Sequence, residues 1–266
     1  MSRIYENEFA IYISHEKFVN SVYNSLHKCI NPNLFYIFHQ YKQKKLKDSS
    51  SGPNNEPESR YESQIREQTM VKMKLKHFMS IAQSEGIFKN SLESSEEINE
   101  SALRTAQTIY NETRKEMVQN AFGSNCGPPV VKDINKGLYL FPQNSTFYAK
   151  NIIEITTHLE HQTFDLILLD PPWWNKYIRR KRKATGDGYD MMFNDDLRSL
   201  PVEKLLEKDG LVVVWCTNSE QNFNHLVTKI FPKWNVEFLG VWYWLKVTTS
   251  GPHLQIASSL RFEVLL

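Results

Sequence analysis

Two short runs constrain this chain more than any other feature. Residues 165–169 (DLILL) and 211–216 (LVVVWC) are apolar at nearly every position. A strict apolar/polar alternation marks a strand with one wet face, whereas a continuous run predicts a strand covered on both. Helical patterns surround the two runs, at 152–160, 195–206 and 219–230, the last with Phe223, Leu226, Val227 and Ile230 on one face. Residues 137–141 and 146–149 read as short strands, 236–247 as a long aromatic-rich strand region, and 261–266 as the start of another. Strands alternating with helices predict an α/β domain with a largely parallel sheet over 128–266. Ligands of such sheets sit beyond the carboxyl ends of the strands.

The first part of the chain has a different grammar. Residues 1–42 place Phe9, Ile11, Ile13, Phe18, Val22 and Leu26 at irregular helical spacing. Residues 44–68 are polar and contain Ser49-Ser50-Ser51-Gly52-Pro53-Asn54-Asn55, which predicts a flexible linker or surface loop. A helix is expected over 62–88, with Met70, Met73, Leu75, Phe78 and Ile81 on its apolar face. After Gly86, Ser94 or Ser95 is placed to cap a second helix running to about residue 120, with Ile98, Ala102, Ala106, Ile109 and Tyr110 inward. Residues 1–127 therefore read as a mostly helical N-terminal domain, and nothing in them points to a particular function.

Composition excludes some classes. No run approaches the roughly 18–20 apolar residues that cross a bilayer. The first ten residues lack the basic-then-apolar pattern of a secretion signal, which favours an intracellular protein. Cys29, Cys126 and Cys216 form no CxxC pair, and the eight histidines form no HxxxH pair, so no metal site is expected. The formal net charge of +2 hides one dense basic cluster, Lys176, Arg179, Arg180, Lys181, Arg182 and Lys183. A concentrated basic loop on a nearly neutral chain suits local contact with phosphates, although charge runs are commonly just solvated.

The chemistry is concentrated where the first apolar run ends. DLILL leads directly into Asp170-Pro171-Pro172-Trp173. An aromatic amine is a poor nucleophile because its lone pair is delocalised into the ring. A carboxylate at Asp170 and a carbonyl from Pro171 can accept both amine hydrogens and draw the nitrogen toward a pyramidal geometry. Proline fixes φ and biases the preceding residue to extended geometry, so the pair makes a rigid shelf. Trp173 is expected to present a flat face on which the base stacks, worth roughly 1–3 kcal/mol.

The motif and those that follow it resemble the MT-A70 family of adenine-N6 methyltransferases. The residues that carry the resemblance are the segment from Phe164 to Lys176, then Tyr189 with Asn194-Asp195-Asp196, Leu200-Pro201, Val214-Trp215-Cys216-Thr217-Asn218, and Trp242-Tyr243-Trp244-Leu245-Lys246-Val247 with Ser250-Gly251. The resemblance covers roughly 138–266. It implies a Rossmann-like fold, S-adenosylmethionine as methyl donor, and Asp170, Pro171, Pro172 and Trp173 as the catalytic shelf. It implies cofactor contacts from Asn151, Ile152 and Lys246. Substrate contacts would come from Asn175, Lys176, Arg179, Arg180 and Tyr189. Asn151 also reads as a helix cap, Lys246 as a solvated strand end and Tyr189 as a packing residue. Trp215, Trp242 and Trp244 lie in apolar strands and are expected in the core.

The favoured substrate under this resemblance is RNA, with 2′-O-methyladenosine of U2 small nuclear RNA giving the N6,2′-O-dimethyl product, and a nuclear location, with the cytoplasm as a second site. DNA adenine is the alternative. Against the family pattern the chain ends at Leu266 within an expected internal strand, before the segment that would hold the cofactor ribose. The domain thus reads as C-terminally truncated, and an inert nucleic-acid-binding or partner-binding module is the reading from a different class. Monomer and heterodimer are both open.

Overall fold

A computed structural model describes residues 2–8, 10–35, 58–87, 96–113, 120–134, 137–175, 179, 190–217, 219–244, 247 and 260–265. The chain divides into two compact units. The first comprises Met1–Val118, Ser124–Thr146 and Val247–Gln255; the second comprises Gln119–Gly123, Phe147–Lys246 and Ile256–Leu266. Residues 124–146 group with the first unit.

In the first unit, strands β1 (Arg3–Glu6) and β2 (Ile11–Ile13) form an antiparallel hairpin. The irregular helical spacing expected there gives way because Ile11-Tyr12-Ile13 is short, apolar and β-branched, which favours a strand. Helix α1 (His15–Tyr23) follows, capped by Ser14, whose Oγ accepts the Lys17 N–H at 3.2 Å. Helices α2 (Glu58–Ser84) and α3 (Glu96–Thr113) occupy the two segments predicted to be helical. Their inward faces are narrower than expected. Phe78, Met79 and Ala82 are buried against Tyr5, Ala10, Tyr12, Leu75, Ile87 and Val247, whereas Met70 and Met73 are exposed. In α3, Ala102 is buried but Ala106 and Tyr110 are not. Strands β4 (Val130–Ile134) and β5 (Gly137–Phe141) form an antiparallel hairpin of this unit, while β3 (Ala121–Asn125) and its partner β6 (Ser145–Ala149) each divide between the two units.

The second unit carries α4 (Ile152–His158), β7 (Phe164–Leu169), α5 (Asn194–Arg198), α6 (Val202–Leu205) and β8 (Leu206–Cys216). They are followed by α7 (Glu220–His225), a wider turn over Leu226–Ile230, α8 (Phe231–Lys233), β9 (Phe238–Trp244) and β10 (Leu260–Leu265). The single helix expected over 195–206 is two helices. Pro201 has no N–H to donate and restricts Leu200, so the first helix stops and a second starts. The amphipathic helix expected over 219–230 forms, with the Ser219 hydroxyl accepting the Asn222 N–H at 3.3 Å and with Leu226 and Ile230 fully buried.

The four-stranded sheet has the order β7-β8-β10-β9. Only β7 and β8 are parallel, with Leu166 opposite Leu211 and Leu169 opposite Val214. Strand β10 runs antiparallel to both β8 and β9. The expectation of a largely parallel sheet is therefore corrected: β10 inserts between β8 and β9, so those two run the same way without pairing directly. The fold is mixed α/β.

Covering helices pack on one face of this sheet. Val212, Val214 and Cys216 on β8 are completely buried, in one cluster with Leu197, Leu226, Ile230, Phe231 and Trp234. Ile167 and Leu169 of β7 join it. The other face of β7 is not covered, since Leu166 and Leu168 are 55% and 65% exposed. The expectation that DLILL is buried on both sides fails because, among the described residues, the apolar cluster covers only the face that Ile167 and Leu169 present. Trp242 and Trp244, expected in the core, are exposed on β9.

The β7–β8 register depends on a four-residue detour. Phe164 pairs with Leu206, and Leu166 then pairs with Leu211. Asp209 takes the left-handed conformation in this detour (φ 63°), which aspartate tolerates better than most residues. Gly210 follows, and a Cβ there would lie 3.0 Å from the Glu207 carbonyl oxygen and 3.1 Å from that of Asp165. Both neighbours are backbone and cannot rotate away. Gly210→Ala is expected to cost about 1–3 kcal/mol, read as a lower denaturant midpoint; an unchanged midpoint would remove this role.

Candidate active site

Strand β7 ends at Leu169, beside Val214 of its parallel neighbour. The chain therefore delivers Asp170 to the carboxyl end of the sheet, where the Asp170 side chain is exposed. Pro171, by contrast, is buried. Its carbonyl accepts the Trp173 N–H at 2.8 Å, closing a tight turn. A carbonyl has two lone pairs, so one acceptor position on Pro171 is already committed.

The turn sends Trp173 inward. Its ring is 4% exposed and belongs to the central core cluster. The indole Nε1–H donates to the Trp215 carbonyl oxygen at 2.7 Å. This corrects the expectation of a stacking surface: Trp173 anchors the motif to β8 and offers no open face to a base. A sequence shows a tryptophan at this point but not which way the preceding turn directs it.

Met192 fastens the other side. Its N–H donates to the Pro172 carbonyl at 2.8 Å, and its own carbonyl accepts the Trp174 N–H at 3.2 Å. The Asn175 N–H points at Met191 Sδ, 3.3 Å away. The chain leaving the motif and the chain returning to α5 are thereby tied together. Behind them, the Asn194 amide meets Asn222 Oδ1 at 3.5 Å, and the Asn222 amide donates to Thr217 Oγ1 at 3.1 Å. These bonds link the start of α5 to the end of β8. Met192 and Asn222 were not expected from the sequence. The pairing of Asn194 with Asn222 could have been sought from their places at the start of α5 and just inside α7.

The remaining expected site residues divide three ways. Asn175 and Arg179 are exposed beside the motif, with the Arg179 guanidinium 6.0 Å from the centre of the Trp174 ring. Lys176, Arg180, Tyr189 and Lys246 lie outside the described residues. Asn151 is the cap of α4: its carbonyl accepts from Glu154 and Ile155, and its Oδ1 accepts the Ile153 N–H at 3.0 Å. Ile152 packs against the cluster that contains Trp173.

The donor set suits S-adenosylmethionine in kind. Ile152 brings an apolar side chain to the cluster that contains Trp173. Asn151, its oxygen used in the cap, has amide N–H groups of the kind that pair with a purine's acceptor nitrogens.

A strand-end Asp-Pro-Pro-Trp held between Trp215 and Met192 is a built feature rather than a chance turn, and comparison with known proteins agrees. The MT-A70 family profile matches residues 164–263. Over that segment the chain is similar to the MT-A70 family. The mouse protein "N(6)-adenine-specific methyltransferase METTL4" is 34% identical over 114 residues, 42% of this chain and 23% of its own length. "N6-methyladenosine RNA methyltransferase MTA1" of Pyricularia oryzae is 38% identical over 142 residues, 49% of this chain and 37% of its own length. "DNA N6-methyl methyltransferase" of Caenorhabditis elegans is 25% identical over 272 residues, 92% of this chain and 72% of its own length. The chain thus spans about a quarter of the mouse relative and somewhat over a third of the fungal one. The matched segment holds both β7 and β8, so the motif and its anchor strand fall within the family pattern together.

Proposed function

We propose that this chain methylates the N6 amine of adenine in nucleic acid, with RNA as the favoured substrate. The observation that carries the reading is Asp170, exposed at the end of β7 in a motif whose backbone is fixed on both sides. The Asp170 carboxylate accepts one amine hydrogen, and the uncommitted lone pair of Pro171 accepts the other. Together they turn the nitrogen lone pair out of conjugation and toward the donor. S-adenosylmethionine, when bound, supplies the electrophilic methyl group. Asn151, Ile152 and Lys246 would hold it, and Asn175, Lys176, Arg179, Arg180 and Tyr189 would hold the nucleic acid. Fixing the reacting groups beforehand is worth several kcal/mol of barrier. The catalytic domain is taken as a Rossmann-like unit over 128–266.

The finer substrate proposed is 2′-O-methyladenosine of U2 small nuclear RNA, which places the protein in the nucleus. DNA is the second reading, favoured by the nematode relative, whose alignment reaches across 92% of this chain. The test is incubation with deuteromethyl-labelled S-adenosylmethionine and matched RNA and DNA oligonucleotides, some carrying 2′-O-methyladenosine, followed by nucleoside mass spectrometry. Label on N6 of RNA adenine is the expected result, strongest on the 2′-O-methylated substrate. Label only in DNA selects the second reading. Binding of the oligonucleotides with no label in either would mean an inert binding module and would sink the enzyme reading.

A further inference from the structure

With Trp173 turned into the core, the motif has no open aromatic surface of its own. The next residue is also a tryptophan. Trp174 is half-buried, and its backbone is fixed by the bond from its N–H to Met192. Arg179 returns over it, with its own N–H bonded to the Asn175 carbonyl at 3.1 Å. The guanidinium carbon stands 6.0 Å from the ring centre, at the outer limit of a cation–π contact. A base inserted between two flat groups needs them about 7 Å apart, twice the roughly 3.4 Å spacing of stacked bases. Arg179 is exposed, so an outward shift of about an ångström opens that gap without disturbing the core. The ring is attractive to any base, and the guanidinium adds a charged, planar lid.

We infer that Trp174 and Arg179 form a clamp that stacks the target adenine, four residues along the chain from the carboxylate that receives its amine. This rests on the nucleic-acid reading above and assigns the stacking role to Trp174 rather than Trp173.

The test is an oligonucleotide carrying 2-aminopurine at the target position, whose fluorescence is quenched on stacking, titrated with the full chain. The unaltered protein should quench it. Trp174→Ala should abolish quenching and weaken binding about tenfold, which corresponds to about 1.4 kcal/mol. Trp174→Phe should keep most of both, and Arg179→Gln should reduce both. Circular dichroism on each variant checks the fold; if Trp174→Ala does not fold, the Arg179→Gln titration decides, because that side chain is exposed. Quenching by Trp174→Ala or Arg179→Gln equal to that of the unaltered protein overturns the clamp. So does an absence of quenching by the unaltered protein when it binds the oligonucleotide. Asp170→Asn separates the two readings: it should quench normally while methylating more slowly than the unaltered protein. Full quenching with no methylation by the unaltered protein would leave the clamp standing and remove the proposed reaction.

Discussion

Asp170→Ala lowers the rate of N6 methylation by at least about a hundredfold, the loss expected when one preorganised partner of a reacting group is removed, and leaves the fold intact. The two halves of this expectation come from the same observation. The Asp170 side chain is exposed at the strand end and takes no part in the core cluster, so its removal costs stability within about 0.5 kcal/mol, as for surface positions generally. Its position beyond Leu169, in contrast, is set by the β7–β8 register and the two prolines. Asp170→Asn retains one acceptor oxygen and loses the charge that offsets the cation developing on nitrogen, so it should fall between the two. Single-turnover methylation and thermal melting of the same preparations provide the measurement. Full activity in Asp170→Ala would move the chemistry elsewhere; a collapsed melting transition would make Asp170 a structural residue.

Trp173 gives the opposite result. Trp173→Ala should destabilise the second unit by about 3–5 kcal/mol, because it empties a fully enclosed site among side chains that cannot close over it. Trp173→Phe fills most of that volume but removes the indole N–H bond to the Trp215 carbonyl, at a cost of about 0.5–1.5 kcal/mol. Urea unfolding of both variants checks the order. The decisive comparison is with base stacking. Trp173→Phe, where it remains folded, should quench 2-aminopurine like the unaltered chain. A Trp173→Phe protein of normal stability that cannot quench would return the stacking role to Trp173.

Much of the second unit was legible from local pattern. The apolar runs 165–169 and 211–216 are strands, and Ser219 caps the helix expected to follow. The departures have specific causes. Pro201 divides a helix whose apolar spacing looked continuous. Leu166 and Leu168 are exposed because burial depends on what packs over each face of a sheet, which a strand's own composition does not record. The antiparallel entry of β10 between β8 and β9 is a long-range choice with no mark in the residues of β10. In the site, Asp170 and the prolines were identifiable by type and order. The inward turn of Trp173 follows from the Pro171–Trp173 hydrogen bond and an acceptor on Trp215, forty-two positions away. Asn151 is ambiguous by chemistry, since a side chain that caps a helix is also one that can recognise a purine.

The ties made by Met192 have an evolutionary consequence. They join the two ends of the segment 175–191 at the motif itself, making that segment an insert with a fixed base. The entropy of closing such an insert rises only logarithmically, by roughly 0.6 kcal/mol for each doubling of length. Lineages can therefore lengthen, shorten or recharge the insert with little penalty to the motif at its base. A laboratory graft between relatives at Trp174 and Met192 would exploit the same freedom.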